Sequence, residues 1–361
     1  MSKRRCLIVY PLVNAEDTVF QKEFLREFRM LISAIGIHSV GERKFDLKRK
    51  LPATLISKYR MEQLAAEATE KDAEMLAFMG TLSPTQKFNL EEYFGPMGIF
   101  IIDREETIIE IFHEHAKTSE AKLQVELARL KYLLPRLKGR NDLSRLGAGI
   151  GTRGPGEQTL EYEKRTVLKR ISAINKRIKK LSVDYSEQGK QRKGLFQAAL
   201  CGYANSGKTT VLNSLAKFNS KTMNKPFTTL DTLVKKSWVG GENILVVDTI
   251  GFIRNLPKGL ELAFKTTMNI LNQVDLIILL YDLSAKDLGI QMETVESHLE
   301  KILDEKKQVL TVFNKLDLRS ARDRHQAFSK RFPEGVFISG KTGEGLSQFK
   351  AILKNYKEKV K

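Results

Sequence analysis

The sequence predicts an α/β protein in three parts: a small α/β domain over residues 1–113, a basic two-helix arm over 114–193 and a larger α/β domain over 194–361. Apolar runs of strand length alternate with helical patterns in both α/β domains, which favours parallel sheets joined by helical crossovers. We expect the larger domain to have a mostly parallel sheet with helices on both faces. The middle part combines two apolar heptad-like patterns with an excess of positive charge.

The small domain is predicted from three apolar runs, at residues 6–10, 75–79 and 99–102, whose lengths suit buried strands. An amphipathic stretch at 24–32 predicts a helix between the first two runs. The alternation indicates a small, largely parallel sheet. The chain has only two cysteines, both beside apolar residues, which excludes a disulfide framework and favours a reducing cytosol.

The arm carries most of the chain's excess charge. Residues 117–193 hold 20 Lys or Arg against 8 Asp or Glu, a net charge of +12 out of +18 for the whole chain. A basic segment of this kind predicts a polyanionic partner, either nucleic acid or anionic lipid, and we favour nucleic acid over a merely solvated charged face.

Two apolar seams predict that the arm is an antiparallel pair of helices. The seams are Leu123, Leu127, Leu130, Leu134 and Leu137 in the first helix, and Val167, Ile171, Ile174, Ile178 and Leu181 in the second. Pro135 is expected to kink or end the first helix, because proline removes a helical hydrogen bond. The glycine-rich residues 147–156 predict a flexible loop at the tip of the arm, with a plain connector as the alternative.

The larger domain opens with a glycine-rich loop at residues 202–209 that follows an apolar run and precedes a helical pattern. This strand–loop–helix setting is typical of a phosphate-binding loop. Gly202 and Gly207 let successive amides point at phosphate groups beside a helix N-terminus. Lys208 is expected to reach the β- and γ-phosphates, and the Thr209 hydroxyl to ligate Mg²⁺.

Residues 248–251 close a second apolar run, so Asp248 is predicted at the carboxyl end of a strand, where α/β sheets bind ligands. We expect Asp248 to hold Mg²⁺ through a water molecule and the Gly251 amide to meet the γ-phosphate. Residues 227–231 suit a mobile switch. Within them Thr229 is the candidate for a second hydroxyl ligand of Mg²⁺, a strand-capping role being the alternative.

Two further motifs predict that the base is guanine. Asn314-Lys315-Leu316-Asp317 follows another apolar run, and the Asp317 carboxylate can accept two hydrogen bonds from the guanine ring N–H and amine. Adenine offers no such pair, so a buried carboxylate rejects it. Ser339-Gly340-Lys341 matches the loop that covers the base, with glycine where alanine is commoner. The four motifs together predict a GTPase.

The predicted nucleotide site is built from the loop, the switch and the three motifs that follow. Its residues are Gly202, Tyr203, Ala204, Asn205, Ser206, Gly207, Lys208, Thr209, Thr210, Phe227, Thr228, Thr229, Leu230, Asp231, Asp248, Thr249, Ile250, Gly251, Asn314, Lys315, Leu316, Asp317, Ser339, Gly340 and Lys341.

No catalytic side chain is identified from the sequence. Phe252 follows Gly251, where many small GTPases carry a glutamine that orients the attacking water. Phenylalanine cannot hydrogen-bond water, so intrinsic hydrolysis is expected to be slow. Asn205 is a candidate ligand for a monovalent cation such as K⁺, as in potassium-dependent GTPases; the alternative is a hydrogen bond to the switch backbone.

Segments outside the nucleotide motifs resemble the HflX family of GTPases. They are residues 82–86, 89–91, 121–128, 132–137, 143–145, 153–157, 227–231 and 248–254, so the resemblance extends over nearly the whole chain. It implies a cytosolic GTPase that binds the large ribosomal subunit and its rRNA and dissociates stalled or idle ribosomes. It also implies that the arm's loop makes the RNA contact, through Arg145, Gly147, Gly149, Gly151, Arg153, Gly154 and Gly156.

The chain departs from the family pattern at residues 55–60, which replace a Gly-x-Gly-Lys stretch and put any N-terminal ATPase activity in doubt. A GTP-gated RNA-binding factor in ribosome assembly, with incidental turnover, is the alternative function. We expect no membrane insertion, because the longest apolar run, near residues 276–280, is too short to span a bilayer. We also expect a cytoplasmic monomer. Peripheral association with a membrane surface is left open.

Overall fold

A computed structural model describes residues 4–13, 18–116, 118–144, 155–188, 195–216, 233–239 and 241–360. The chain divides into two compact units. The first unit comprises Met1–Glu114, Lys122–Val183 and Pro257–Leu260, and the second comprises His115–Ala121, Asp184–Leu256 and Glu261–Lys361. Each unit contains its own sheet and its own apolar core.

The first unit begins with a four-stranded sheet in the order β2-β1-β3-β4, in which every strand pair is parallel. The prediction of a small parallel α/β domain is confirmed. Its elements are β1 (Arg5–Val13), α1 (Thr18–Ala34), β2 (His38–Leu47), α2 (Lys58–Glu70), β3 (Met75–Phe78), α3 (Pro84–Phe94), β4 (Phe100–Asp103) and α4 (Arg104–His115).

Strand β2 has no counterpart among the predicted strands. It lies at the edge of the sheet, and among its ten residues only Phe45 and Leu47 are buried. An edge strand with one partner needs little apolar sequence, because backbone hydrogen bonds to β1 hold it. The apolar pattern therefore could not reveal it.

The arm consists of two long helices, α5 (Ser119–Ser144) and α6 (Pro155–Gln188). The predicted seams meet: Leu123, Leu127 and Ile174 form a buried cluster, against which Leu130, Ile171 and Ile178 pack. Arg170 of α6 also donates two hydrogen bonds to Glu126 of α5, at 2.6 and 2.9 Å. The paired residues of α5 and α6 are separated from the end of α5 and from the start of α6 by similar numbers of residues, as an antiparallel pair requires.

Pro135 was predicted to kink or end the first helix, and the second of these outcomes is wrong, since α5 continues to Ser144. Contacts on both sides of the proline hold the helix together. The seam anchors the preceding turns, and the Arg136 guanidinium donates to the carbonyls of Tyr132 and Leu82, at 2.7 and 3.1 Å. These bonds compensate for the single backbone bond that proline removes.

The second unit contains a six-stranded sheet in the order β10-β9-β8-β5-β7-β6, parallel except for the β6–β7 pair. The predicted mostly parallel sheet is confirmed. Its elements are β5 (Gln197–Cys201), α7 (Lys208–Ala216), β6 (Leu233–Val239), β7 (Glu242–Asp248), α8 (Glu261–Met268), β8 (Leu276–Asp282), α9 (Leu288–Ile302), β9 (Val309–Asn314), α10 (Arg319–Arg331), β10 (Val336–Phe337) and α11 (Leu346–Val360).

The core of the second unit joins the sheet to helices α7 and α11, with Leu212 and Phe349 fully buried among strand residues. Strands β5, β7 and β9 all cross this core, and predicted site residues lie at or directly after their carboxyl ends. Across the described parts of the chain, every helix is too short or too polar to serve as a membrane-spanning segment.

Candidate nucleotide-binding site

The loop between β5 and α7 has a backbone that only glycine allows at two positions. Gly202 has φ +155°, and a Cβ there would lie 2.0 Å from the Leu280 carbonyl oxygen. Gly207 has φ +94°, and a Cβ there would lie 2.3 Å from the Asn314 amide nitrogen. Both glycines therefore serve close packing as well as backbone freedom. Asn205, also in the loop, adopts the left-handed conformation with φ 64°, which asparagine tolerates.

Lys208 begins α7 and folds back over the loop. Its ammonium group donates to the carbonyls of Gly202 and Tyr203, at 3.1 and 2.9 Å. Burial lowers the pKa of Lys208 to about 8, and the nearby Asp248 carboxylate partly opposes that shift. A buried cation of this kind is poised to receive phosphate oxygens, whose negative charge would raise its pKa again.

Two predicted metal ligands lie together at the carboxyl edge of the sheet. The Thr209 hydroxyl donates to the Asp248 carboxylate at 2.7 Å, and the Asp248 side chain is fully buried. The Ser206 hydroxyl, in the loop beside them, is buried without a hydrogen-bond partner among the described residues. Hard oxygen donors next to an unsatisfied hydroxyl suit a magnesium-bound phosphate group.

The loop is also joined to residues that follow Asp248. Phe252 N–H donates to the Gly202 carbonyl at 3.0 Å, and Ala204 N–H donates to the Phe252 carbonyl at 2.7 Å. Gly251 lies so close that a Cβ there would approach the Ala204 Cα to 2.8 Å. The predicted phosphate loop and the predicted γ-phosphate segment are thus joined through their backbones.

The side chain of Phe252 points into the interior. It is fully buried, and its ring centroid lies 5.3 Å from that of Phe264 and 5.6 Å from that of His298. Just beyond it, Arg254 N–H donates to the Tyr203 hydroxyl at 3.1 Å, and the Arg254 side chain forms a buried ion pair with Asp287. The residue after Gly251 therefore has a packing role in this structure.

Asn314, at the end of β9, connects the phosphate loop with the last motif. Its side-chain amide donates to the Ser206 carbonyl at 2.9 Å, and its side-chain oxygen accepts from Gly340 N–H at 2.9 Å. Gly340 packs tightly as well, because a Cβ would approach the Val211 side chain to 2.8 Å. Close packing gives a physical reason for glycine at this position.

Asp317 and Lys315 flank the expected position of the base. The Asp317 carboxylate accepts a hydrogen bond from the Ser339 hydroxyl at 2.6 Å, which orients it. Lys315 has φ 67° and its ammonium group lies 2.7 Å from the Asp282 carboxylate. Asp282 was not among the predicted site residues. Its position at the end of the apolar run of β8, equivalent to that of Asp248 at the end of β7, was the available signal.

Some predicted site residues lie outside the described residues. These are Phe227, Thr228, Thr229, Leu230 and Asp231 of the switch, and Arg145, Gly147, Gly149, Gly151, Arg153 and Gly154 of the tip loop. Gly156 was predicted in that loop, but the structure places it in the first turn of α6. Pro155 explains the difference, because proline at the first helical position favours helix initiation.

Comparison with known proteins agrees with this architecture along the chain. Three family models match: GTP-binding GTPase N-terminal over residues 22–113, GTP-binding GTPase Middle Region over 115–192 and 50S ribosome-binding GTPase over 197–315. A solved relative in fold is a GTP-binding protein from Sulfolobus solfataricus in complex with GDP, with a TM-score of 0.55 at 22% identity, covering 99% of this chain and 100% of that one.

Curated relatives are closer in sequence. GTPase HflX of Lacrimispora saccharolytica is 36% identical, over 97% of this chain and 84% of that protein. GTPase HflX of Escherichia coli is 34% identical, over 94% of this chain and 80% of that protein. These matches show that the chain belongs to the HflX family of GTPases, and the nucleotide motifs at one edge of the sheet agree with this. The protein therefore binds GTP and hydrolyses it to GDP.

Proposed function

We propose that this GTPase binds the large ribosomal subunit and dissociates stalled or idle ribosomes, with hydrolysis stimulated by the ribosome. The observation that carries the proposal is a basic face on α6, formed by Arg165, Lys169, Lys176 and Lys180. All four are exposed, and their spacing of about one or two helical turns keeps them on one side of the helix.

This α6 basic face is opposite the seam that packs on α5. The seam residues Ile171, Ile174 and Ile178 occupy the other side of the helix. Arg170, which faces α5, is already engaged with Glu126 and serves the packing of the arm. A row of lysines and arginines about 20 Å long suits the phosphate backbone of folded RNA.

The nucleotide supplies the switch that would control this contact. Thr209 and Asp248 would hold Mg²⁺, Asp248 through water, with Thr229 as the second hydroxyl ligand. The metal ion would neutralise charge that develops on the β- and γ-phosphates during hydrolysis. Lys208 and the loop amides would bind the same phosphates and keep them in place.

Intrinsic hydrolysis should be slow, because Phe252 is packed in the interior and cannot orient water. Asn205, held in the left-handed conformation at the phosphate loop, remains the candidate ligand for K⁺. Turnover measured in potassium chloride and in sodium chloride at matched ionic strength tests this assignment. Equal rates in the two salts, with and without ribosomes, would remove K⁺ from the mechanism.

Ribosome binding is tested by sedimentation of purified ribosomes with the protein and a non-hydrolysable GTP analogue. Lys169→Glu/Lys176→Glu should weaken co-sedimentation at least about tenfold and reduce its salt dependence, since each phosphate contact releases counterions. Lys301→Glu/Lys306→Glu is the matched control, because it makes the same charge change at exposed lysines of the second unit. Equal loss in both variants would show a net-charge effect only.

Subunit dissociation is tested by shortening the tip of the arm. Replacing residues 147–154 with a short neutral turn should leave GTP binding near normal and abolish ribosome splitting. If the shortened protein splits ribosomes at the wild-type rate, the tip of the arm is not needed for splitting and another part of the chain must perform it. Stimulation of hydrolysis by ribosome precursors and not by mature ribosomes would favour the assembly factor instead.

A further inference from the structure

We propose that the outward face of strand β6 binds an unpaired RNA nucleotide, with Trp238 as the stacking surface for its base. Trp238 is the only tryptophan of the chain and is 63% exposed, although tryptophan is a large apolar residue that folding normally covers. The proposal deepens the proposed function, on which it rests for the source of the RNA.

The two faces of β6 have different environments, because alternate residues of a strand point to opposite sides. On the inner side, the Lys235 ammonium group donates to the Asn213 side chain at 2.8 Å and the Ser237 hydroxyl donates to the Leu215 carbonyl at 2.8 Å. Val239 completes this side in the apolar core. The side chains of the inner face therefore attach β6 to the rest of the second unit.

The outer side carries Val234, Lys236 and Trp238, and all three are exposed. Their neighbours across the antiparallel ladder are Leu245, opposite Lys236, and Asn243, opposite Trp238. We call these five residues the β6 outer face. It combines an indole, two aliphatic side chains, an amide and one cation, without a carboxylate.

This composition favours RNA over a protein partner. Aromatic rings stack on bases of any sequence, and a nearby cation meets the phosphate backbone. Lys236 and Trp238 are two residues apart on one face, a spacing of about 7 Å. One nucleotide can therefore place its base on the indole and its phosphate at the ammonium group. The nearest carboxylate in the β6–β7 hairpin, Glu242, is engaged with Lys357 and does not oppose the phosphate.

Strand β6 also lies at the edge of the sheet among the described residues, and its three outward side chains, Val234, Lys236 and Trp238, are exposed. The segment that precedes β6 in the chain contains the predicted switch residues 227–231. Binding at this face would thus involve the strand that directly follows the predicted switch in the sequence.

The single tryptophan makes the inference directly measurable. Fluorescence of the full-length protein with a non-hydrolysable GTP analogue should be quenched by a short oligoadenylate, and the oligonucleotide should protect Trp238 from acrylamide. Trp238→Ala should weaken binding of a labelled oligoadenylate about tenfold or more, whereas Trp238→Phe should retain most of it, because phenylalanine still stacks.

Tyr59→Ala is the matched control, since Tyr59 is an equally exposed aromatic residue, at 68%, in the first unit. It should leave oligonucleotide binding unchanged. Unchanged acrylamide quenching with oligoadenylate and with large subunits would overturn the proposal, and so would protection by ribosomal proteins without RNA. Wild-type protein that fails to sediment with ribosomes yet still shows quenching by oligoadenylate would instead contradict the ribosomal function alone.

Discussion

The two sheets of this protein each end a strand with a fully buried aspartate, Asp103 in β4 and Asp248 in β7. The Asp103 carboxylate is surrounded by the protein's own donors: Leu82 N–H at 3.0 Å, Glu106 N–H at 2.8 Å and the Arg136 guanidinium at 3.4 Å. Asp248 instead accepts from the Thr209 hydroxyl, beside the phosphate loop.

This difference shows how similar strand ends acquire different roles. Around Asp103, an arginine from α5 and backbone amides satisfy the charge, so the aspartate fastens helix α5 to the small sheet. Around Asp248 lie the Thr209 hydroxyl and the buried Lys208 ammonium group, beside the predicted phosphate-binding loop. We therefore expect Asp103 to act mainly in stability and Asp248 mainly in nucleotide binding.

The largest effect should come from Asp103→Asn, which is expected to lower stability and to leave nucleotide binding unchanged. Replacing the carboxylate leaves the Arg136 guanidinium partly unpaired in a buried position. We expect a loss of about 3–5 kcal/mol in the free energy of unfolding, measured by urea denaturation, with nearly unchanged GTP affinity in protein that remains folded.

Asp248→Asn is the matched substitution at the other sheet and should show the reverse pattern. Its Mg²⁺-dependent GTP affinity should fall about tenfold or more, because the asparagine lacks the charge that holds the metal ion, with only a small change in unfolding. Equal stability losses in both variants would mean that the two aspartates have the same structural role.

Asp317→Asn tests the same contrast at the base end of the predicted nucleotide site. The amide replaces one acceptor with a donor that opposes the guanine N–H groups. We expect GTP affinity to fall by about 2–4 kcal/mol, measured by isothermal titration calorimetry, with improved binding of xanthosine triphosphate. Wild-type GTP affinity in this variant would show that Asp317 does not read the base.

Phe252→Gln tests whether the position after Gly251 acts in packing or in catalysis. A glutamine side chain would be buried against Phe264 and His298 without a matching partner, so the second unit should lose about 1–3 kcal/mol of stability. Single-turnover GTP hydrolysis should not become faster. Phe252→Leu, which stays apolar, is the control and should keep most of the stability. Faster hydrolysis in the glutamine variant would indicate that the side chain can leave the interior.

The smallest difference between the two sheets should appear at their cysteines. Burial raises the pKa of the Cys6 thiol and of the Cys201 thiol to about 12, so both remain protonated through pH 9. Since the thiolate is the reactive form, alkylation by iodoacetamide between pH 7 and pH 9 should be slow at both positions and become rapid only in urea. Mass spectrometry of digested protein checks the two sites separately, and rapid native labelling of one cysteine would show local opening of its sheet.

Much of the nucleotide site was predictable because its residues are contiguous in sequence and follow apolar strands. The pattern of Gly202, Gly207, Lys208 and Asp248 needs no knowledge of distant contacts. The supporting pairs could not be read in the same way: Lys315 with Asp282, and Arg254 with Asp287, join residues 33 positions apart in each case. Their partners are defined by strand order, which a single sequence does not contain.

The elements that were missed share a physical cause. Strand β2 has little apolar signal because one neighbour suffices at a sheet edge, and α5 continues past Pro135 because tertiary contacts replace one lost hydrogen bond. The direction of the Phe252 side chain was equally hidden, since it depends on Phe264 and His298 from other helices. In each case packing decided an outcome that local propensity left open.

The two hydrogen bonds of Asn314 limit how the nucleotide preference of this enzyme can be redesigned. The Asn314 side chain bonds to the Ser206 carbonyl and to the Gly340 N–H, so it links the phosphate-binding loop to the loop at residues 339–341. A replacement at Asn314 is therefore expected to disturb phosphate binding and base binding together. The Asp317 carboxylate bonds to the Ser339 hydroxyl and does not link the two loop backbones. Asp317 is therefore the better position at which to change the base that is recognised. An engineered variant that accepts an unnatural base, and so responds to its own cofactor inside a cell, is therefore best built at Asp317 with Asn314 left intact.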